Sequence, residues 1–215
     1  MSRYVAGFLP ELQRQTNVGS LALVASMAAL GNVLGVVPIG LAQIPTGAGV
    51  GQVALDFSNL AVVVVGIFLG WRMGSLTGLL AGIGPAIMFG FVTGSTGLIT
   101  FLLPVGKALT GFSVGLIAQS IRPEKRLRSY NVFIAVLVGF IPEAVLTWYY
   151  FVNLVPLFVT GYFAQVIAPT LAIPILVKGS GEMILISVLT VALVGNEGFR
   201  MFFRRFVPTE RLLIP

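Results

Sequence analysis

The sequence predicts an all-α membrane protein: a single domain over residues 1–215 with six transmembrane helices and both termini in the cytoplasm. Three observations lead to this fold class. Hydrophobic residues make up 57% of the chain and charged residues only 9%, whereas a soluble domain carries about 25% charged residues. The mean hydropathy is +1.00, and the apolar residues gather into six long runs. Finally, nearly all Lys and Arg residues stand on one side of those runs.

The six apolar runs each approach the ~20 residues that a helix needs to cross the hydrocarbon core of a bilayer. We expect all of them to be helices, because a lone strand in lipid leaves its backbone hydrogen bonds unmade. The runs cover residues 20–37, 54–70, 73–91, 99–121, 132–152 and 168–194. Residues 195–215 are predicted to form a cytoplasmic or interfacial tail.

The positions of the basic residues predict the orientation. The loops 38–53, 92–97 and 153–166 contain no Lys or Arg. Both termini and the remaining connections lie on one face, because the number of spans is even. They hold Arg3, Arg14, Arg72, Arg122, Lys125, Arg126, Arg128, Arg200, Arg204, Arg205 and Arg211. Positive charge in short loops marks the cytoplasmic side, so we expect both termini to lie on the cytoplasmic side of the cell membrane.

Small residues recur in the first predicted helix. Ala25 and Ala29 lie four residues apart and therefore on one helical face. This spacing is typical of close packing within a membrane bundle, and it would equally suit a smooth face on which a partner protein docks. The sequence leaves these two interpretations open.

The loop 38–53 that follows is uncharged and contains several Gly and Pro residues. Its residues Pro45, Gly47, Gly49 and Gln52 are candidates for a lid that closes over the outer ends of the helices. A mobile surface loop is the alternative.

Glycines at intervals of four mark the second and third predicted helices. Within each helix they share one face, where another backbone can approach closely. They are Gly66, Gly70, Gly74, Gly78 and Gly82. Because Trp71 and Arg72 interrupt the apolar run, we expect a helical hairpin with a basic turn at one end and a lone acid, Asp56, at the other.

Composition excludes several classes of function. The chain has no Cys and no His, which excludes disulfides, thiol chemistry and any metal, haem or acid–base site that uses histidine. The net charge of +6 does not indicate nucleic acid, because the basic residues flank the apolar runs. There is also no GxxxxGK[ST] phosphate loop. We therefore expect no catalytic residues, no metal site and no cofactor.

Five ionisable residues remain inside the predicted spans or at their edges. At about 1.5 Å of helical rise per residue, all of them lie in the outer half or near the centre of the bilayer. Charged groups are costly in lipid, so we expect them to line one outward-facing polar pocket. They are Asp56, Lys107, Glu143, Lys178 and Glu182. The alternative is a set of buried salt bridges that only hold helices together, as Lys178 and Glu182 could at their i,i+4 spacing.

The motif LDFSNL, followed by an apolar helix, GWRMG and a glycine-rich helix, resembles the substrate-binding S component of energy-coupling factor (ECF) transporters. The pair Ala25 and Ala29 is similar to a motif in the first helix of that family. Length, six helices and internal termini agree over nearly the whole chain. The chain departs from the family pattern at Asn59, Ala61 and Trp71, where an acid and two prolines are usual.

Within that family, the riboflavin-specific members look most similar, because they share a P-x-x-x-K-G pattern that begins here at Pro174. The resemblance assigns Lys178 as a ligand-contacting lysine, although Ile175 stands where an asparagine is frequent. Riboflavin is therefore the preferred ligand, with folate, pantothenate and a queuosine precursor as other vitamins or vitamin-like compounds that such proteins bind.

The resemblance implies a multi-pass subunit in a prokaryotic cell membrane that captures a vitamin from outside. An ECF transmembrane coupling protein and two ATPase subunits would be its partners and would supply the ATP-driven step. Lys178 would donate to the ligand, Asp56 would anchor the lid side of the pocket, and Lys107, Glu143 and Glu182 would complete the polar cluster. Ala25 and Ala29 would form the face offered to the coupling protein.

Two other functions fit parts of the sequence. A stand-alone secondary transporter or channel for a small metabolite could use the Lys/Glu cluster as a proton relay. That function would need polar residues that continue to the inner face. An intramembrane enzyme would need clustered Asp, His or Ser residues near an interface, and only Asp56 qualifies.

Overall fold

A computed structural model of the protein describes residues 18–41, 43–45, 52–92, 97–121, 129–161, 165–166 and 168–206. Within this part of the chain the protein is a bundle of helices with one short β-hairpin. Five of the described helical runs are long and apolar enough to cross a membrane, and this is compatible with a multi-pass membrane protein. They are Val18–Val37, Trp71–Val92, Gly97–Ser120, Ser129–Phe158 and Ala168–Gly195.

In chain order the elements are α1 (Val18–Leu41), β1 (Gln43–Pro45), β2 (Gln52–Ala54), α2 (Ser58–Leu69), α3 (Trp71–Ala81), α4 (Ile83–Ile87), α5 (Leu102–Ser120), α6 (Ser129–Gly139), α7 (Ile141–Tyr149), α8 (Val155–Phe158), α9 (Ala168–Gly195) and α10 (Glu197–Arg204). Two π-helical turns, Met88–Val92 and Tyr150–Leu154, continue α4 and α7, and a 3₁₀ turn, Gly97–Phe101, leads into α5.

Two predicted spans need correction at their boundaries. The span 54–70 contains only the 12-residue helix α2, which is about 18 Å long. Its helix begins at Ser58 because the residues before it pair as strand β2 and then run without regular structure. The span 132–152 continues through α8 to Phe158, since the apolar chain goes on and Pro156 is tolerated in the first turn of a helix.

The described residues of the predicted lid loop, 38–41, 43–45 and 52–53, belong to α1, β1 and β2. Strands β1 and β2 pair antiparallel, with Pro45 opposite Gln52, and the hairpin contacts α1. Gly47 and Gly49 lie outside the described residues. Strand β2 ends at Ala54, so only Leu55 separates the hairpin from Asp56.

The glycine face predicted in the third span packs against a neighbouring helix, as its spacing indicates. A Cβ atom on Gly74 would lie 2.6 Å from the carbonyl oxygen of Gly111 in α5. A Cβ atom on Gly78 would run into the backbone of Lys107, one helical turn earlier in α5. The glycines therefore let α3 and α5 approach at backbone distance, and this contact places Lys107 in the bundle.

The apolar core fills the half of the bundle away from Asp56. It is built from the later turns of α2 and α5, from α6 and from the later turns of α9. Its members include Val63, Ile67, Val114, Val136 and Ile186. The predicted tail contributes as well, because α10 places Phe203 in this core, where its ring stacks on Phe68 with 4.5 Å between ring centroids.

Candidate functional site

The structure brings the five ionisable residues into one cluster at the end of the bundle that carries the β-hairpin. Asp56 lies in the short segment before α2, and the other four lie on α5, α7 and α9. Their side chains interact in three connected groups. Whether they bind a ligand stays a prediction.

The first group joins the start of α2 to α5. The ammonium of Lys107 lies 2.7 Å from Oδ2 of Asp56 and also donates to the hydroxyl of Ser58. The other carboxylate oxygen of Asp56 accepts from the backbone N–H of Ser58 over 2.9 Å. This Asx turn satisfies one of the unpaired N–H groups at the start of a helix. Asp56 therefore both positions the beginning of α2 and pairs with a lysine that is 4% exposed.

The second group ties α9 to the same segment. Lys178 and Glu182, one turn apart, form an ion pair with 3.3 Å between Nζ and Oε1. The same Oε1 atom accepts from the backbone N–H of Asp56 over 2.5 Å. The Lys178–Glu182 pair is therefore not isolated, because it continues through Glu182 into the Asp56–Lys107 pair.

The third group surrounds Glu143 on α7. Its carboxylate accepts from the hydroxyl of Thr110 over 2.5 Å and from the side-chain amide of Asn59 over 3.2 Å. Gly106 allows this approach, since a Cβ atom there would lie 3.2 Å from Cγ of Glu143. Lys107 interacts with Glu143 electrostatically, while its hydrogen bonds go to the first group.

Sequence reasoning missed the three neutral members of the cluster, Ser58, Asn59 and Thr110. A signal for each was present. Ser58 and Asn59 follow the predicted site residue Asp56 almost directly, and Thr110 lies three residues after Lys107 on the same helical face. A search restricted to ionisable residues passes over such donors.

The charged groups of the cluster are packed against one another. A cavity that reaches Glu143, between Gly106, Thr147 and Tyr150, has a volume of about 10 Å³. That is about the least space in which one water molecule fits. A ligand of vitamin size would therefore have to displace contacts within the cluster. A larger groove of about 470 Å³ lies between α7 and α9, but its lining is mainly apolar, with Trp148 and Met183 among its residues, and contains none of the five.

The structure places Ala25 and Ala29 on the exposed face of α1. The face that packs into the bundle carries Leu23, Val24 and Ala28 instead. Of the two interpretations of the small-residue pair, packing within the described bundle is therefore wrong. A docking face stays a prediction.

Comparison of the chain with known protein families, with curated proteins and with solved structures finds no match. The groups that the cluster offers for binding are three carboxylates, two ammonium groups and the neutral donors beside them. Such an arrangement can hold a small polar molecule through ion pairs and hydrogen bonds.

Proposed function

We propose that this protein is the substrate-binding membrane subunit of an ECF-type importer. It spans the cell membrane of a prokaryote six times with both termini inside, and it captures a small vitamin from the outer side. The observation that carries the proposal is the cluster itself: ionisable groups from four separate elements meet at one end of an otherwise apolar bundle. Intramembrane charges that converge in this way are typical of substrate sites.

The distribution of buried polar side chains supports the capture of a ligand rather than the conduction of protons through the bundle. The half of the bundle beyond the cluster holds the apolar core, and its buried polar side chains include Ser187 and Thr190. Among the residues that the structure describes, no buried ionisable group lies in that half. A proton relay through a channel or secondary transporter would need such groups, so this alternative has less support.

The exposure of the cluster suggests how a ligand enters. The side chains of Asp56 and Lys178 are 23% and 17% exposed, more than those of Lys107 and Glu182. A ligand would therefore meet Asp56 and Lys178 first. Lys178 can turn from Glu182 to an acceptor atom of the ligand, because Glu182 keeps the backbone N–H of Asp56 as a donor. The β-hairpin, joined to Asp56 through Leu55, would close over the bound molecule.

Delivery to the cytoplasm would require other chains. The exposed small-residue face of α1 would contact a transmembrane coupling protein, and two ATPase subunits would supply the energy. Riboflavin is the first compound to test, because the resemblance of the helix around Lys178 favours it.

The proposal is tested by purifying the protein in detergent and analysing bound small molecules by absorbance and mass spectrometry. Flavin fluorescence titration then gives the affinity for riboflavin, and equilibrium dialysis gives it for other vitamins. A vitamin that is retained in stoichiometric amount supports the proposal. A protein that binds no vitamin, yet moves protons or a small metabolite when reconstituted alone in liposomes, would instead be a secondary transporter.

Lys178→Ala is expected to weaken vitamin binding by about 10-fold or more, because a hydrogen bond from a charged donor contributes about 1.5–3 kcal/mol. The free energy of unfolding of the ligand-free protein should fall by less than the free energy of binding, since the side chain of Lys178 is 17% exposed and Glu182 keeps the backbone N–H of Asp56 as a donor. Dialysis and thermal melting measure the two effects. Ser180→Ala, on the same helix with its hydroxyl bonded to Leu176, is the control. Equal affinity of the Lys178 and Ser180 variants would remove Lys178 from the site.

Ala25→Trp is expected to leave vitamin binding intact and to abolish uptake by the assembled transporter. Ala25 is exposed on α1, so a bulky ring there need not disturb the bundle but would keep a docking partner away. Val188→Trp, a similar change at an exposed position of α9, should spare both properties. Uptake in cells that supply the partner subunits measures the difference. Normal uptake by the Ala25 variant would refute the docking face.

A further inference from the structure

The end of the bundle away from the cluster carries the short helix α10. Phe199 and Phe203, one turn apart, pack into the apolar core, and both rings contact the ring of Phe68 near the end of α2. One side of α10 is therefore fixed to the bundle. The other side, which we call the outer face of α10, carries charged side chains among the described residues.

The outer face is basic. Residues 197–205 contain three arginines and one acid, Glu197. The carboxylate of Glu197 lies 3.7 Å from the guanidinium of Arg200, and this pair compensates one positive charge. Arg205, at the end of the helix, is exposed and lies outside that pair. The net charge of the helix is therefore positive, and part of it is open to the surroundings.

Large apolar side chains stand beside these charges. Met201 is 57% exposed, and Phe202 is 45% exposed although its ring contacts those of Phe203 and Phe206. Aromatic and basic side chains that occur together on a short amphipathic helix are typical of a helix that lies in the interface of a membrane.

The length of α9 indicates the depth of α10. The 28 residues of α9 extend about 42 Å, which is close to the ~40–45 Å thickness of a bilayer with its headgroup regions. Only Asn196 separates the two helices, and its side chain accepts from the backbone N–H of Phe199 over 3.0 Å, which caps α10. In a protein that crosses the membrane with α9, α10 therefore lies at the level of the lipid headgroups.

We infer that the outer face of α10 binds anionic phospholipids, with Arg205 pairing with the phosphate group and Phe202 contacting the acyl chains beside it. The inference goes beyond vitamin capture, because it concerns the opposite end of the bundle. Charge complementarity selects this occupant, since guanidinium groups form paired hydrogen bonds with phosphate. A lipid without net charge lacks the attraction that an anionic surface has for basic residues.

The test measures lipid contact at α10 itself. In the full-length protein, Phe202→Trp introduces a fluorophore at the outer face, and Trp71→Phe with Trp148→Phe removes the two native tryptophans. This reporter protein is reconstituted in phosphatidylcholine bilayers with increasing fractions of brominated phosphatidylglycerol, which quenches tryptophan on contact. Brominated phosphatidylcholine is the reference. We expect phosphatidylglycerol to bind about 5-fold more tightly than phosphatidylcholine, the ratio that about 1 kcal/mol for one basic side chain provides.

Substitutions on the outer face should change this preference in opposite directions. Arg205→Gln should lower it by about 5-fold, whereas Arg205→Lys keeps the positive charge and should retain most of it. Glu197→Gln should raise the preference, because it removes a carboxylate that is 83% exposed and releases Arg200 from its pair. In the protein with its native tryptophans, added phosphatidylglycerol should likewise raise the melting temperature more than phosphatidylcholine does, and Arg205→Gln should reduce that difference.

Three results would overturn the inference. Equal quenching by the two lipids would remove the selectivity for negative charge, and quenching by neither would mean that the outer face does not touch lipid. A preference that Arg205→Gln leaves unchanged, in quenching or in melting, would place the anionic lipid elsewhere on the protein. Vitamin dialysis with the wild-type protein tests the capture function separately, so a failure of one proposal is distinguishable from a failure of the other.

Discussion

Replacing Lys107 with methionine is expected to lower the melting temperature of the purified protein by roughly 10 °C. Lys107 is 4% exposed, and its ammonium bonds both the carboxylate of Asp56 and the hydroxyl of Ser58. Methionine keeps the apolar stem but leaves Asp56 without its cation. Breaking a buried ion pair in this way costs about 3–5 kcal/mol, and each kcal/mol lowers the melting temperature of a chain of this size by about 2–4 °C.

A double substitution tests the cause of that loss. When Asp56→Asn is added to Lys107→Met, most of the lost stability should return, because the asparagine oxygen can still accept from the backbone N–H of Ser58 and position 56 no longer carries a charge that has lost its partner. Lys178→Met is the control, since the side chain of Lys178 is 17% exposed against 4% for Lys107 and Glu182 keeps the backbone N–H of Asp56 as a donor. Tryptophan fluorescence during heating measures all four proteins. If the double variant melts as early as the single one, the Asp56–Lys107 pair is not the origin of the effect.

The ionisable members of the cluster could be predicted from the sequence because the background is so apolar. With 9% charged residues, and most of those at the ends of helices, each charge inside a span stands out. Their pairing could not be predicted. Lys107 had three carboxylates as possible partners, and the choice of Asp56 depends on how far α5 slides along α2 and α3. That position is set by contacts such as Gly111 against Gly74, which involve residues distant in sequence.

The neutral members were harder to predict for a different physical reason. Ser, Thr and Asn are tolerated in membrane helices, where many simply bond their own backbone, as Thr77 does with Met73. Whether Thr110 reaches a carboxylate instead depends on which helix lies next to it. The start of α2 shows the same limit, since the strand pairing that ends at Ala54 is a contact with residues near 43. Sequence patterns predicted the helices and the charged residues of the cluster, whereas the hydrogen-bond and ion-pair partners of these residues depend on tertiary packing.

Gly78→Ala is expected to destabilise the protein by about 1–3 kcal/mol, the cost typical of overpacking in a tight interface. The added methyl group would collide with the carbonyl group of Lys107, which is backbone and cannot move without shifting α5. Gly181→Ala is a matched control on α9, where a Cβ atom meets nothing within 4 Å. In a helix interior alanine is favoured over glycine by up to ~1 kcal/mol, so the control should be neutral or stabilising.

The position of the collision makes this substitution a test of the site as well as of the fold. Displacing the backbone at Lys107 moves its ammonium away from Asp56, so Gly78→Ala should also weaken vitamin binding, whereas Gly181→Ala should not. Thermal melting and dialysis on the two variants measure both consequences. Equal melting temperatures would mean that α3 and α5 do not meet at backbone distance. A lower melting temperature with unchanged affinity would mean that Lys107 holds the helices together without contributing to the binding site.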